Sequence, residues 1–308
     1  MSAWLYPQDT AQAHLTFARA ADIVDYYAHL VGPFAFEKLA HVQSATRFGG
    51  MENASAIFYT ERGLASGRSL ESTVAHETAH QWFGDQVTEA DWPELWLSEG
   101  FATYFGHLFY EHVDGTTKLR ELLEKDREEY LTSDVTDRPV IDRDQQDLFA
   151  LLDANSYQKG GWVLHMLRGI LGDDTFFRGI RAYYALFGGR DATSDDLRAV
   201  MEKVSGKDLE WFFHQWLEEP GYPVLETGWS YDAGRGQVKV TVTQVQKAGW
   251  PTFRLPLDVE VVPASGSPER HAVELRERVE HLSFSTASPP KAVRLDPDGW
   301  VLKGGPPR

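Results

Sequence analysis

Two histidines one helical turn apart, with a glutamate after the first, restrict this chain more than any other stretch: His76-Glu77-Thr78-Ala79-His80. In a helix over residues 70–82, His76 and His80 lie about 40° apart on one face, because four residues advance the spiral by roughly 400°. Two imidazoles so placed can grip one cation, and Glu99 can supply a third ligand. For Glu99 to return to the histidines the chain must turn after His80 and pack a second helix on the first. Gly84 and Asp91-Trp92-Pro93 supply the turn, and Pro93 suits the start of a helix from about Glu94 to His112. Three protein ligands leave the fourth place of a tetrahedral zinc ion to water, as in hydrolytic zinc sites. Glu77 lies about 100° round the helix from His76, outside the ligand set and able to reach that water as a general base. The bland alternative is a solvated helix with two idle histidines.

Composition narrows the partners. With 42% hydrophobic residues, including 10 Trp, 12 Tyr and 17 Phe, the 308-residue chain can build one large domain or two ordinary ones. A net charge of −16 argues against a nucleic-acid partner, which calls for a basic stripe, and suits a cationic ligand such as the free amino end of a peptide. The absence of cysteine excludes disulfides, thiol catalysis and a cysteine-built zinc site. No apolar run is long enough to span a membrane, and Met1–Asp9 lacks the basic start and apolar run of a signal peptide. The compartment stays open, leaning to soluble and cytoplasmic.

The flanking segments, Gln81-Trp82-Phe83-Gly84-Asp85 and Trp96-Leu97-Ser98-Glu99-Gly100-Phe101-Ala102, give the zinc pattern a context. With them the chain resembles the gluzincin aminopeptidases, the zinc exopeptidase family that includes aminopeptidase N and leukotriene hydrolase. Asp85 stands where many members have Asn. The resemblance implies one Zn2+ ion held by His76, His80 and Glu99, with Glu77 as the catalytic base. It also gives meaning to Gly49-Gly50-Met51-Glu52-Asn53, which on spacing alone is a glycine turn with a solvated glutamate. The family's Gly-x-Met-Glu-Asn motif binds the substrate's α-ammonium, so by resemblance Glu52 takes the ammonium and Gly49 and Gly50 lie beside the peptide, glycine allowing close approach. Asn155-Ser156-Tyr157-Gln158-Lys159-Gly160-Gly161 reads as a loop entering an apolar helix. The family's Tyr-x-Lys-Gly motif assigns Tyr157 to the oxyanion that forms as water attacks the scissile carbonyl.

The expected fold class is α+β: by resemblance a thermolysin-like, mostly helical zinc peptidase domain over residues 1–222, then a small all-β sandwich over 223–308. The helical part is predicted to begin with one amphipathic helix over 9–31, its apolar face formed by Phe17, Ala21, Val24, Tyr27 and Leu30. A short strand at Phe36–Val42, a charged helix over 116–131 and a polar loop over 132–146 near the cleft follow. Further helices are expected at Asp174–Leu186, Ser194–Val204 and Leu209–Leu217. Helical spacing ends at Glu219-Pro220-Gly221-Tyr222-Pro223, and beyond it the apolar period changes to two, as in Val238–Val245 and Leu255–Val262. The resemblance runs from Ala21 to the C-terminus, and the β domain with which the family normally begins is expected to be missing. The leading expectation is a zinc aminopeptidase acting on peptides with a free N-terminus. A zinc endopeptidase and a domain-deleted, non-catalytic binding module are the alternatives, and an epoxide hydrolase side activity is conceivable from the leukotriene hydrolase resemblance.

Overall fold

A computed structural model describes residues 1–286 and 288–305, without the side chains of Gln12 and Ala13. Its architecture is the expected mixture of a helical body and a small β-sandwich. The helix expected over 9–31 is instead two, Gln12–Thr16 and Ala20–Leu30. The buried face of the second starts one residue earlier than expected, with Ala20, Ile23 and Tyr27 inside and Ala21 exposed. The cause is Tyr27, whose hydroxyl reaches the Ala75 and Phe105 carbonyls at 3.0 and 3.1 Å and fixes the rotation of the helix. The strand expected at Phe36–Val42 lies at Ala40–Ser44, while Phe34 packs on Trp82 with ring centroids 5.5 Å apart.

A four-stranded sheet runs in the order Ser2–Trp4, Ala40–Ser44, Ala56–Thr60, Gly50–Met51; the first three are parallel and the last is antiparallel. The glycine motif therefore forms a sheet edge with one side unpaired. Behind it lies the motif helix, Glu71–Ala79, with His80 as its C-terminal cap. Gly84, at φ +122°, then turns the chain in a conformation that L side chains rarely adopt. Asp91 accepts from the Trp92 N–H at 2.9 Å and starts a short turn with Pro93, from which the long helix Trp96–Asp114 follows. Phe83 packs on Phe101 and Phe105, with centroids 4.4 and 4.8 Å apart, and locks the two helices together.

Helix Thr116–Thr132 lies close to its expected span, with Leu119, Leu123 and Tyr130 buried. Asn155–Lys159 is not the expected loop but a wide helical turn that runs directly into Gly160–Leu171. It is held by Asn155, whose amide donates to the Val135 carbonyl at 3.1 Å. Asp173–Phe187 and Ser194–Ser205 follow, the latter started by a reciprocal cap between Thr193 and Asp196.

The sandwich consists of two antiparallel three-stranded sheets. One has Leu255–Pro263 at its centre and the other Gln237–Gln244. Val238, Val240 and Val242 are buried from one sheet, and Leu255, Leu257, Val259 and Val261 from the other, so period-two spacing delivers the core. Each such side chain contributes about 1.5–3 kcal/mol on burial. The sandwich docks through Trp300, whose indole stacks on His165 at 4.6 Å.

Candidate active site

The site forms where the motif helix, the long helix and the Asn155–Lys159 turn meet. His76 Nε2, His80 Nε2 and Glu99 Oε2 stand 3.2 Å from one another. Ligand atoms about 2.0–2.1 Å from a tetrahedral ion are about 3.3 Å apart, so the three positions fit a single cation of that kind. His80 Nδ1–H donates to the Phe83 carbonyl at 3.1 Å, which turns the Nε2 lone pair toward the cluster. The other oxygen of Glu99 accepts from the Tyr157 hydroxyl at 2.7 Å. Burial opposes ionisation of Glu99, yet His80 and His76 hold its carboxyl well below the usual range. Burial pushes the Tyr157 phenol up, and Glu99 beside it adds to the shift. Its ring also stacks on His76, 5.9 Å away.

Glu77 is buried and faces the glycine strand. Burial raises its carboxyl to about 7 against the opposing pull of His76 and His80. Glu52 is half-buried in the same cleft, and its carboxylate can approach those of Glu77 and the imidazole of His80 within 4.8 Å. Among the described residues both groups able to hold a metal ion fall here, and they share His80. All eight residues singled out from the sequence, Gly49, Gly50, Glu52, His76, Glu77, His80, Glu99 and Tyr157, line one cleft of about 580 Å³. A second cavity, of about 330 Å³, lies between the helical body and the sandwich, away from these groups.

Sequence reasoning missed several contributors. Gln81 Nε2 donates to the Glu52 carbonyl at 2.9 Å and to Asp85 at 2.7 Å, and its oxygen accepts from the Ser55 N–H at 2.8 Å. That amide ties the end of the motif helix to the glycine strand; its signal was its place in the motif's flank, right after His80. Ser98 donates to Glu89, a further carboxylate of the cleft. Trp92 and Phe149, exposed to 45% and 61%, are large aromatic side chains at the same cleft. The loop expected near the cleft, residues 132–146, contributes no residue to its lining; Phe149 and Leu152, a few residues later in the chain, do.

The peptidase family M1 domain profile matches residues 16–216. A probable aminopeptidase 1 from Sulfurisphaera tokodaii is 28% identical over 299 residues, covering 91% of this chain and 37% of that protein. The tricorn protease-interacting factor F2 of Thermoplasma acidophilum is 34% identical over 221 residues, 66% of this chain and 28% of its own. Among solved structures, Legionella pneumophila aminopeptidase A in complex with aspartic acid matches 99% of this chain and 36% of its own with a TM-score of 0.83, at 19% identity. That last likeness is one of fold. The chain belongs to peptidase family M1. It spans well under half the length of the curated relatives it matches.

Proposed function

We propose that the chain is a zinc-dependent aminopeptidase that removes the N-terminal residue of peptides, with residues 1–222 as its catalytic domain and 223–308 as a buttressing sandwich. The observation that carries this reading is the cleft shared by a three-ligand cluster and Glu52: a carboxylate a short distance from the metal position measures off a single residue from a charged amine. Membership of the family and the names of its relatives support it. The described residues contain no helix long and apolar enough to cross a membrane.

His76, His80 and Glu99 would hold zinc, which supplies a Lewis acid that lowers the pKa of water and polarises a carbonyl. Glu77 takes the proton from the attacking water and returns it to the leaving amine. The Tyr157 hydroxyl donates to the oxyanion, a contribution of about 3 kcal/mol for such a donor. Glu52 pairs with the α-ammonium and the Gly49–Gly50 backbone lies along the peptide. Asp85, in place of the family's Asn, accepts from Gln81 and so acts on the Glu52 strand rather than on the substrate.

The test is metal analysis with an aminoacyl p-nitroanilide assay, with and without chelator, and with free and N-acetylated peptides. One zinc per chain, chelator-sensitive turnover and no cleavage of acetylated peptide are expected. Equal cleavage of blocked and free peptides would make the protein an endopeptidase. Bound zinc without turnover of any aminoacyl substrate would make it a binding module.

A further inference from the structure

We propose that Arg47 binds a carboxylate on the leaving-group side of the peptide, so that the cleft favours short peptides with a free C-terminus over amidated ones. The inference rests on the aminopeptidase reading and names the substrate class of that same cleft.

The glycine strand provides a ruler. Glu52 stands at one end, where the substrate amine is read. Gly50 is level with the base, since a Cβ on it would stand 2.1 Å from Glu77 Oε1. A peptide with its amine at Glu52 and its scissile bond beside Glu77 therefore continues past Gly49 toward Phe48 and Arg47. The paired strand is only Gly50–Met51, and Arg47–Gly49 form a bend that brings Arg47 to the Phe48 and Phe149 rings at the cleft. A tri- or tetrapeptide, at about 3.3 Å per extended residue, is long enough to leave the cleft on that side.

Arg47 is placed for that role. Its guanidinium lies 4.8 Å from the Phe48 ring and 5.0 Å from the Phe149 ring, and both rings line the cleft. The two aromatic faces hold the cation at the rim. Among the described residues it has no ion-pair or hydrogen-bond partner, although the chain carries 46 acidic residues against 30 basic ones. The charged side chains lining the cleft, apart from its histidines, are Glu52, Glu77, Glu89 and Glu99, with no lysine or arginine among them. The cleft lining is thus acidic throughout, and Arg47 stands outside it as a cation at the rim, against two rings that do line it. An amine is favoured inside and a carboxylate at the edge, the polarity of a zwitterionic short peptide. A planar guanidinium also matches a carboxylate in two-pronged geometry.

A carboxylate there can come from the peptide terminus or from an acidic side chain, and two substrate pairs separate these sources. Leu-Gly-Gly is compared with its C-terminal amide, and Leu-Gly-Asp-amide with Leu-Gly-Asn-amide, for the parent chain, Arg47→Ala and Arg47→Lys. The expected result for the parent is roughly a fivefold preference in kcat/KM for the free acid, expressed in KM and weakened by salt, as befits an exposed ion pair. Arg47→Ala should bring the ratio to about one, and Arg47→Lys should retain part of it. A preference confined to the Asp pair would move the contact from the terminus to a side chain and overturn the short-peptide form of the proposal. A free-acid preference that survives Arg47→Ala, or its absence in the parent, overturns it entirely. Failure of the parent to turn over any aminoacyl p-nitroanilide overturns the aminopeptidase reading instead, and is thereby distinguishable.

Discussion

A Cβ on Gly50 would stand 2.1 Å from Oε1 of Glu77 and 2.4 Å from its Cδ, closer than real Cβ atoms approach any heavy atom. The backbone of the glycine strand is therefore in contact with the proposed base, and only a residue without a side chain fits. Gly50→Ala must displace either the carboxylate or the strand that carries Glu52. A misplacement of about 1 Å costs on the order of 10²-fold in rate. The expected outcome is a loss of that size in kcat/KM for an aminoacyl p-nitroanilide with little change in thermal stability. Gly49, whose added Cβ meets nothing within 4 Å, gives the contrast: Gly49→Ala should cost far less in the same assay.

A similar closeness joins Glu99 to Tyr157. A Cβ on Gly100 would lie 2.8 Å from the Gly160 Cα, and the reverse contact is 3.0 Å, so the two helices touch backbone to backbone beside the site. Gly100→Ala should push them apart, costing about 1–3 kcal/mol in urea unfolding as overpacking does. It should also stretch the 2.7 Å Tyr157–Glu99 bond. Activity should then fall by more than the folded fraction does, measured on protein shown to be fully folded by circular dichroism.

The part of the site legible from the residues alone follows one rule, local geometry, whereas Gly49, Gly50, Glu52 and Tyr157 are legible only through the family resemblance. His76 and His80 are one turn apart, and bringing Glu99 back requires only a turn, which Gly84 makes at φ +122°. The period-two valines of the sandwich are equally local. The parts that went unread depend on partners far away in sequence. Tyr27, anchored to Ala75 and Phe105, sets the rotation of its helix in a way that the spacing of Phe17 and Ala21 could not reveal. Asn155 keeps the Tyr157 segment helical through a carbonyl twenty residues back, although its polar, glycine-bounded sequence suggests a loop. Arg47 and Phe149 are remote in the chain and meet only when the cleft is built.

Removing one oxygen separates the role proposed for Tyr157 from metal binding. Its hydroxyl touches Glu99 Oε1, while Oε2 faces the histidines. Tyr157→Phe should therefore keep zinc at the parent stoichiometry by metal analysis. It should lower kcat by about 10²–10³-fold, as loss of an oxyanion donor does. His80→Ala removes a proposed ligand and should lose the metal together with the activity. Parallel loss of zinc and activity in Tyr157→Phe would assign the tyrosine to holding Glu99.

His165 makes the docking of the sandwich acid-sensitive. Its Nε2–H donates to the Gly299 carbonyl at 3.2 Å and its Nδ1 accepts from the Tyr104 hydroxyl at 3.2 Å, so the neutral ring is fully partnered beneath Trp300. Burial lowers its pKa from 6.5 to about 3, with Gly299 opposing the shift. The folded pKa lies below the unfolded one, so its contribution to stability is complete above pH 6.5 and is lost as pH falls toward 3. Across that window the unfolded chain binds a proton that the folded chain refuses, and stability declines by about 1.4 kcal/mol per pH unit. His41, lowered to about 4 by burial, adds a second such slope over a shorter window. Urea unfolding from pH 7 to 4.5 should show the decline, and His165→Asn should make it shallower by about one proton whatever it does to stability at pH 7. An unchanged slope in that variant would mean that His165 takes no part in acid unfolding.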